Sequence, residues 1–96
     1  VRMKPDAAFI AGGLPRRARA HVLSEPGKQY AAYLLHGDQV DLSLVLPAGT
    51  YTVEWMDPVT GVYKKKQQIE HSGGKAKVSS PEYTFDIALK VVRRED

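Results

Sequence analysis

The chain has 96 residues, enough for one small domain that hides roughly 60–65% of its extended-chain surface on folding. Its 43% hydrophobic and 26% charged residues are ordinary for a globular domain and exclude disordered, collagen-like and low-complexity classes. Fourteen Lys+Arg against 11 Asp+Glu leave a formal charge of +3, short of a polyanion-binding surface unless the cations cluster, and the absence of cysteine removes disulfide frameworks and thiolate metal sites.

The opening run Val1-Arg2-Met3-Lys4-Pro5 lacks the apolar stretch of a signal peptide, and no window comes near the roughly 18 consecutive apolar residues of a membrane helix, so no membrane insertion is expected. A chain that opens on Val1 rather than Met is expected to be a processed product, an excised domain or the tail of a longer protein. Residues 1–17 fit no strand pattern. With Met3, Phe9 and Ile10 set among Gly, Pro and Arg, they read as a linker, or the end of a preceding domain, carrying a few apolar anchors ahead of one domain over 18–96. Beyond them Gly and Pro recur at short intervals, and apolar residues alternate with period two where no helical spacing is sustained. Seven strands are predicted, at about 18–24, 29–35, 40–46, 50–56, 62–70, 75–79 and 85–92.

In the first predicted strand Ala18, Ala20 and Val22 alternate with Arg19, His21 and Leu23. Glu25-Pro26-Gly27-Lys28 places Pro and Gly where a type II turn needs them, joining this strand to an antiparallel neighbour. That neighbour, Tyr30-Ala31-Ala32-Tyr33-Leu34-Leu35, is apolar on both faces, which marks a central strand or one whose outer face is covered by something outside the domain. From Thr50 to Asp57 the stripe Tyr51, Val53, Trp55 should face the core. Asp57-Pro58-Val59-Thr60-Gly61 reads as a type I turn closed by a left-handed Gly, so the strands carrying Trp55 and Tyr63 should pair. Ser72-Gly73-Gly74 reads as a hairpin tip. The last strand offers Phe85, Ile87, Leu89 and Val91 as an inward stripe. Seven short strands without a helix to cover them point to an all-β fold, a single antiparallel two-sheet β-sandwich of the immunoglobulin-like or jelly-roll-like kind, with a small barrel as the alternative.

Catalytic constellations are not evident. His21, His36 and His71 lie on or beside three different strands without the paired spacing of a zinc site. The serines lack a Gly-x-Ser-x-Gly elbow, and neither Gly12-Gly13 nor Gly73-Gly74 precedes a helix that could present amides to a phosphate. Asp38, Asp41, Glu54, Asp57, Glu70, Glu82 and Asp86 fall mostly at turns or outward positions, which does not suit a facing pair of acids. No catalytic residue, cofactor or metal ligand is therefore predicted.

Three basic clusters remain, Arg16-Arg17-Arg19, Lys64-Lys65-Lys66 and Arg93-Arg94. A lysine run in mid-strand protects an edge strand from pairing with other chains, and this reading is favoured over nucleic-acid binding because most aromatics fall on core positions. Tyr63 and Tyr83 are the exceptions. They could stack on the apolar face of a pyranose, or be ordinary partly buried strand-end tyrosines.

Three segments carry a family resemblance. They are Glu25 to Leu34, the run Leu46-Pro47-Ala48-Gly49-Thr50-Tyr51-Thr52-Val53-Glu54-Trp55-Met56-Asp57-Pro58-Val59-Thr60-Gly61, and Ser80-Pro81-Glu82-Tyr83 with Asp86-Ile87-Ala88-Leu89. In this order they resemble the C-terminal β-sandwich appended to bacterial glycoside hydrolases with TIM-barrel catalytic domains, and a related module labelled collagen-binding. The likeness covers about residues 18–92, and Tyr-x-Val-x-Trp followed by Asp-Pro-x-Thr-Gly is its best signature. The resemblance implies a non-catalytic accessory domain of a secreted or envelope-associated enzyme, extracellular or periplasmic. It would pack on the catalytic barrel, with residues 1–17 as the link, and be structural or weakly glycan-binding. The alternative it implies is an adhesion module that binds collagen or another extracellular protein. It brings no ligand residues to carry over.

Overall fold

In the computed structural model, which describes residues 4–6, 8–14, 16, 18–25 and 27–94, the period-two segments become strands. The described residues form β1 (Lys4–Pro5), β2 (Ile10–Gly12), β3 (Arg19–Glu25), β4 (Gln29–Leu35), β5 (Asp41–Val45), β6 (Gly49–Met56), β7 (Tyr63–His71), β8 (Lys75–Ser79) and β9 (Asp86–Arg93). A six-stranded antiparallel sheet runs β1-β3-β4-β9-β6-β7, and a three-stranded antiparallel sheet runs β2-β5-β8. The architecture is the expected β-sandwich, and β3 to β9 are the seven predicted strands.

The inward stripes of the two sheets make one core. Tyr51, Val53 and Trp55 of β6 are completely buried, joined by Tyr30, Ala32 and Leu34 of β4, Ile87, Leu89 and Val91 of β9, Leu42 and Leu44 of β5, and Ala76 and Val78 of β8. The apolar strand β4 is central, between β3 and β9. Trp55 is the largest of the fully buried side chains, and its indole N–H has no acceptor among the described residues. Leaving that donor unmet costs about 1–3 kcal/mol. Burying the ring contributes more, because removing a buried Trp side chain costs about 3–5 kcal/mol even net of such losses.

Hairpins join only β3 to β4 and β6 to β7; every other connection passes between the sheets. In the first hairpin Lys28 N–H donates to Glu25 C=O at 2.9 Å with Gly27 at φ 79°, while Pro26 lies outside the described residues. In the second, Gly61 N–H donates to Asp57 C=O at 2.8 Å, and the Asp57 Oδ1 accepts from Val59 N–H at 2.8 Å. Gly61 stands at φ 74°, a left-handed conformation that a Cβ would strain, as the turn requires. The register shifts between Trp55, opposite Lys65, and Met56, opposite Tyr63, which leaves Lys64 with no opposite residue.

Three expectations are corrected. Ser72-Gly73-Gly74 is not a hairpin tip; it carries the chain from β7 in the larger sheet to β8, which pairs with β5 in the smaller one. The same glycine-rich turn serves either path, and burial of Ala76 and Val78 against the opposite layer selects the crossing. Phe85 is 78% exposed, because β9 begins one residue later, and Phe85 serves through its carbonyl, which accepts His36 N–H at 2.8 Å. The segment in which no strand was expected holds β1, paired with β3, and β2, paired with β5. Two- and three-residue strands are too short to display an alternation. Between them Phe9 stacks on Tyr30, centroids 4.5 Å apart and planes 3° from parallel, in the buried core. Met3 and Arg17, read as an anchor and as part of a basic cluster, lie outside the described residues.

Strand β7 is an edge of the larger sheet, the position at which a lysine run discourages strand addition. Two of its lysines also tie the sandwich shut. The ammonium of Lys64 donates to Glu82 C=O at 2.7 Å and that of Lys65 to Ser79 C=O at 3.0 Å, reaching from the larger sheet to the end of β8 and the segment after it.

Replacing Trp55 with Ala should lower unfolding free energy by about 3–5 kcal/mol, read from urea or thermal melts; a loss under about 1 kcal/mol would contradict the central position of the ring. Burial raises the phenol pKa of both Tyr51 and Tyr83 above the ordinary value. A group whose pKa is higher folded than unfolded holds its stabilisation below the unfolded value and loses it as pH rises through the folded one. Stability should therefore fall above about pH 10, where free tyrosine ionises. Denaturant midpoints taken from pH 8 to 11 should show a shallower decline in the Tyr83→Phe variant; an identical decline would remove Tyr83 from the account.

Candidate functional site

One face of the larger sheet packs on the core, so the alternate residues of the same strands stand on its outer face. Register aligns them into cross-strand lines. His21 lies opposite Tyr33, Tyr33 opposite Ala88, Ala88 opposite Met56, and Met56 opposite Tyr63, a line that crosses β3, β4, β9, β6 and β7. The adjacent line reads Leu23, Ala31, Lys90, Glu54, Lys66.

Relief on this face follows from side-chain size. Ala31 and Ala88 are small and sit between the larger Tyr33, Met56 and Tyr63, and the depression they leave is a groove of about 300 Å³ lined largely by apolar atoms. Neighbouring strands lie about 4.8 Å apart, so the three steps from β4 to β7 put Tyr33 and Tyr63 about 14 Å from each other. Tyr63 is 52% exposed and Leu23 45%.

Both tyrosines are held. The Tyr33 hydroxyl donates to the Asp86 carboxylate, and that bond, more than burial or the negative charge itself, raises the phenol above its ordinary pKa. The ring of Tyr63 carries the Lys66 ammonium 5.5 Å from its centroid, and that ammonium lies 3.8 Å from the Glu54 carboxylate. Tyr33, held by its hydroxyl, would lose little entropy on being covered.

The two tyrosines singled out in the sequence are not brought together. Tyr63 stands on the outer face, whereas Tyr83 is buried in the core, its hydroxyl donating to His36 C=O at 2.9 Å and its N–H to Asp38 C=O at 2.8 Å. Gly37 passes so close that a Cβ there would sit 2.7 Å from the Tyr83 hydroxyl oxygen. Tyr83 thus clamps the crossing between β4 and β5 and has no free ring face. Tyr33 and Met56, which the sequence reading did not single out, share the line with Tyr63. The signal for Tyr33 was present in the two-sided apolarity of residues 30–35.

Other titratable groups serve the backbone. Asp6 accepts from Ala8 N–H at 3.1 Å and from the Ser24 hydroxyl at 2.8 Å, and Asp57 caps its turn. Asp41 is held below its ordinary pKa, first by the Gln39 side-chain amide and then by the Ser79 hydroxyl. Among the described residues no three His, Asp or Glu side chains converge as metal ligands would.

No family model matches the chain, and no curated protein matches it. Among solved structures it is similar to part of a chain named "Glycoside hydrolase", with a TM-score of 0.65 and 20% sequence identity over 95% of this chain. The chain spans 21% of the length of that neighbour. At this identity the likeness is one of fold: the β-sandwich formed here also occurs as about a fifth of a larger chain that bears that name.

Proposed function

We propose that this chain is a non-catalytic β-sandwich accessory module of a glycoside hydrolase that packs on the catalytic barrel and binds polysaccharide weakly through the outer face of its larger sheet. The observation that carries this reading is the groove along Tyr33, Ala88, Met56 and Tyr63, a partly exposed apolar strip with an aromatic ring near each end. Pyranose rings have apolar faces that pack on such side chains and hydroxyls that remain in water at the rim. The occurrence of the same fold within a much larger chain named a glycoside hydrolase supports the accessory role. Several carboxylates are engaged in turns and hydrogen bonds rather than paired across a cleft, which supports catalysis residing elsewhere. In this reading the module works outside the cytoplasm, extracellularly or in the cell envelope.

A glycan and extracellular-matrix array probed with the 96-residue chain at low and raised salt tests the proposal. Salt-resistant retention on a polysaccharide, lost in Tyr63→Ala, is the expected result. Salt-resistant binding to collagen with silent polysaccharide spots would replace the reading with an adhesion module. Hydrolysis by the isolated chain, abolished by changing Glu54 or Asp57, would overturn the non-catalytic assignment.

A further inference from the structure

The charge on the groove selects among polysaccharides. Among the described residues its lining includes Lys90 and His21 and no carboxylate. Lys90 is exposed in the middle of the sheet, directly across β9 and β4 from Ala31, whose small side chain leaves the lysine stem open on that side. On its other side the line continues through Glu54 to Lys66, so two ammonium groups flank one acid, and that acid already lies 3.8 Å from Lys66. Among the described residues the Lys90 ammonium forms no ion pair.

A ligand lying along the Tyr33 to Tyr63 line covers Ala88 and the Lys90 stem and removes the ammonium from water on one side. A neutral glycan offers only hydroxyls in return, and desolvating a charge without an opposite charge is costly. A carboxylate on the sugar ring compensates it with a charge-assisted hydrogen bond, roughly twice as strong as a neutral one.

We propose that the groove binds a carboxylate-bearing polysaccharide, a glycan of uronic acids, whose ring faces lie along Tyr63, Met56, Ala88 and Tyr33 while a carboxylate meets Lys90. This rests on the accessory-module reading above and names its ligand class.

Affinity electrophoresis of the 96-residue chain in gels containing polygalacturonate, and in parallel a neutral mixed-linkage β-glucan, separates the two. The expected result is stronger retardation by polygalacturonate, weakened about tenfold by Lys90→Gln and by Tyr63→Ala. The double variant Lys75→Gln/Lys77→Gln, on exposed positions of β8 in the other sheet, should stay within about twofold. Both groove positions are exposed, and unchanged thermal midpoints establish that the variants fold. Equal retardation by the two polymers with Lys90→Gln unaffected overturns the acidic ligand and leaves the polysaccharide-binding module standing. Retardation lost equally in the β8 variant shows diffuse ionic attraction and overturns the groove. No retardation by either polymer removes both the ligand class and polysaccharide binding by this face.

Discussion

Everything in this molecule depends on burying the β6 stripe Tyr51, Val53, Trp55 between two sheets. A chain of this size has room for one core, and no helix is present among the described residues to cover a sheet. The three-stranded sheet supplies the cover: Leu42, Leu44, Ala76 and Val78 press on the inward residues of β4, β6 and β9. Trp55 accepts an unpaired indole N–H as the cost of that position.

Because only two connections are hairpins, the sandwich holds through the segments that pass between its layers. Phe9 and Tyr30 stack across one such passage, bringing the N-terminal segment into the core. Tyr83, Phe85, His36 and Asp38 lace together another through two backbone hydrogen bonds and one from the phenol. Val40 and Ser80 form a third tie, each N–H reaching the other residue, to the hydroxyl in one direction and to the carbonyl in the other. Lys64 and Lys65 close the open side at β7 with donors that also keep the strand edge charged. These ties hold the two layers together beneath the outer face on which the groove lies.

The outer face owes its chemistry to the same alternation that builds the core. Each strand that turns one set of residues inward offers the other set outward, so β4, apolar on both sides, contributes Tyr30, Ala32 and Leu34 to the core and Ala31 and Tyr33 to the groove. Sheet register then decides which outward residues become neighbours. Two alanines between larger side chains make a trough, and Lys90, which forms no ion pair among the described residues, gives that trough a sign.

The sequence by itself determined the seven longer strands and, Phe85 apart, the inward stripes, because period-two alternation and the turn chemistry at Gly27 and Gly61 are local properties of the chain. It also exposed the two-sided strand at residues 30–35 and the lysine-guarded edge. It did not show the short strands at Lys4–Pro5 and Ile10–Gly12, which need partners from distant parts of the chain to exist. Only the tertiary structure decided the fate of the two tyrosines. Counting back from the inward Ile69, Gln67 and Lys65, residue 63 would face the core; the register shift at Lys64 turns Tyr63 to the outer face opposite Met56. Tyr83 follows no strand, and the close passage of Gly37 draws it into the core. A bulge and a crossing are set by pairing between segments far apart in the chain, and such pairing leaves no period in the sequence to read.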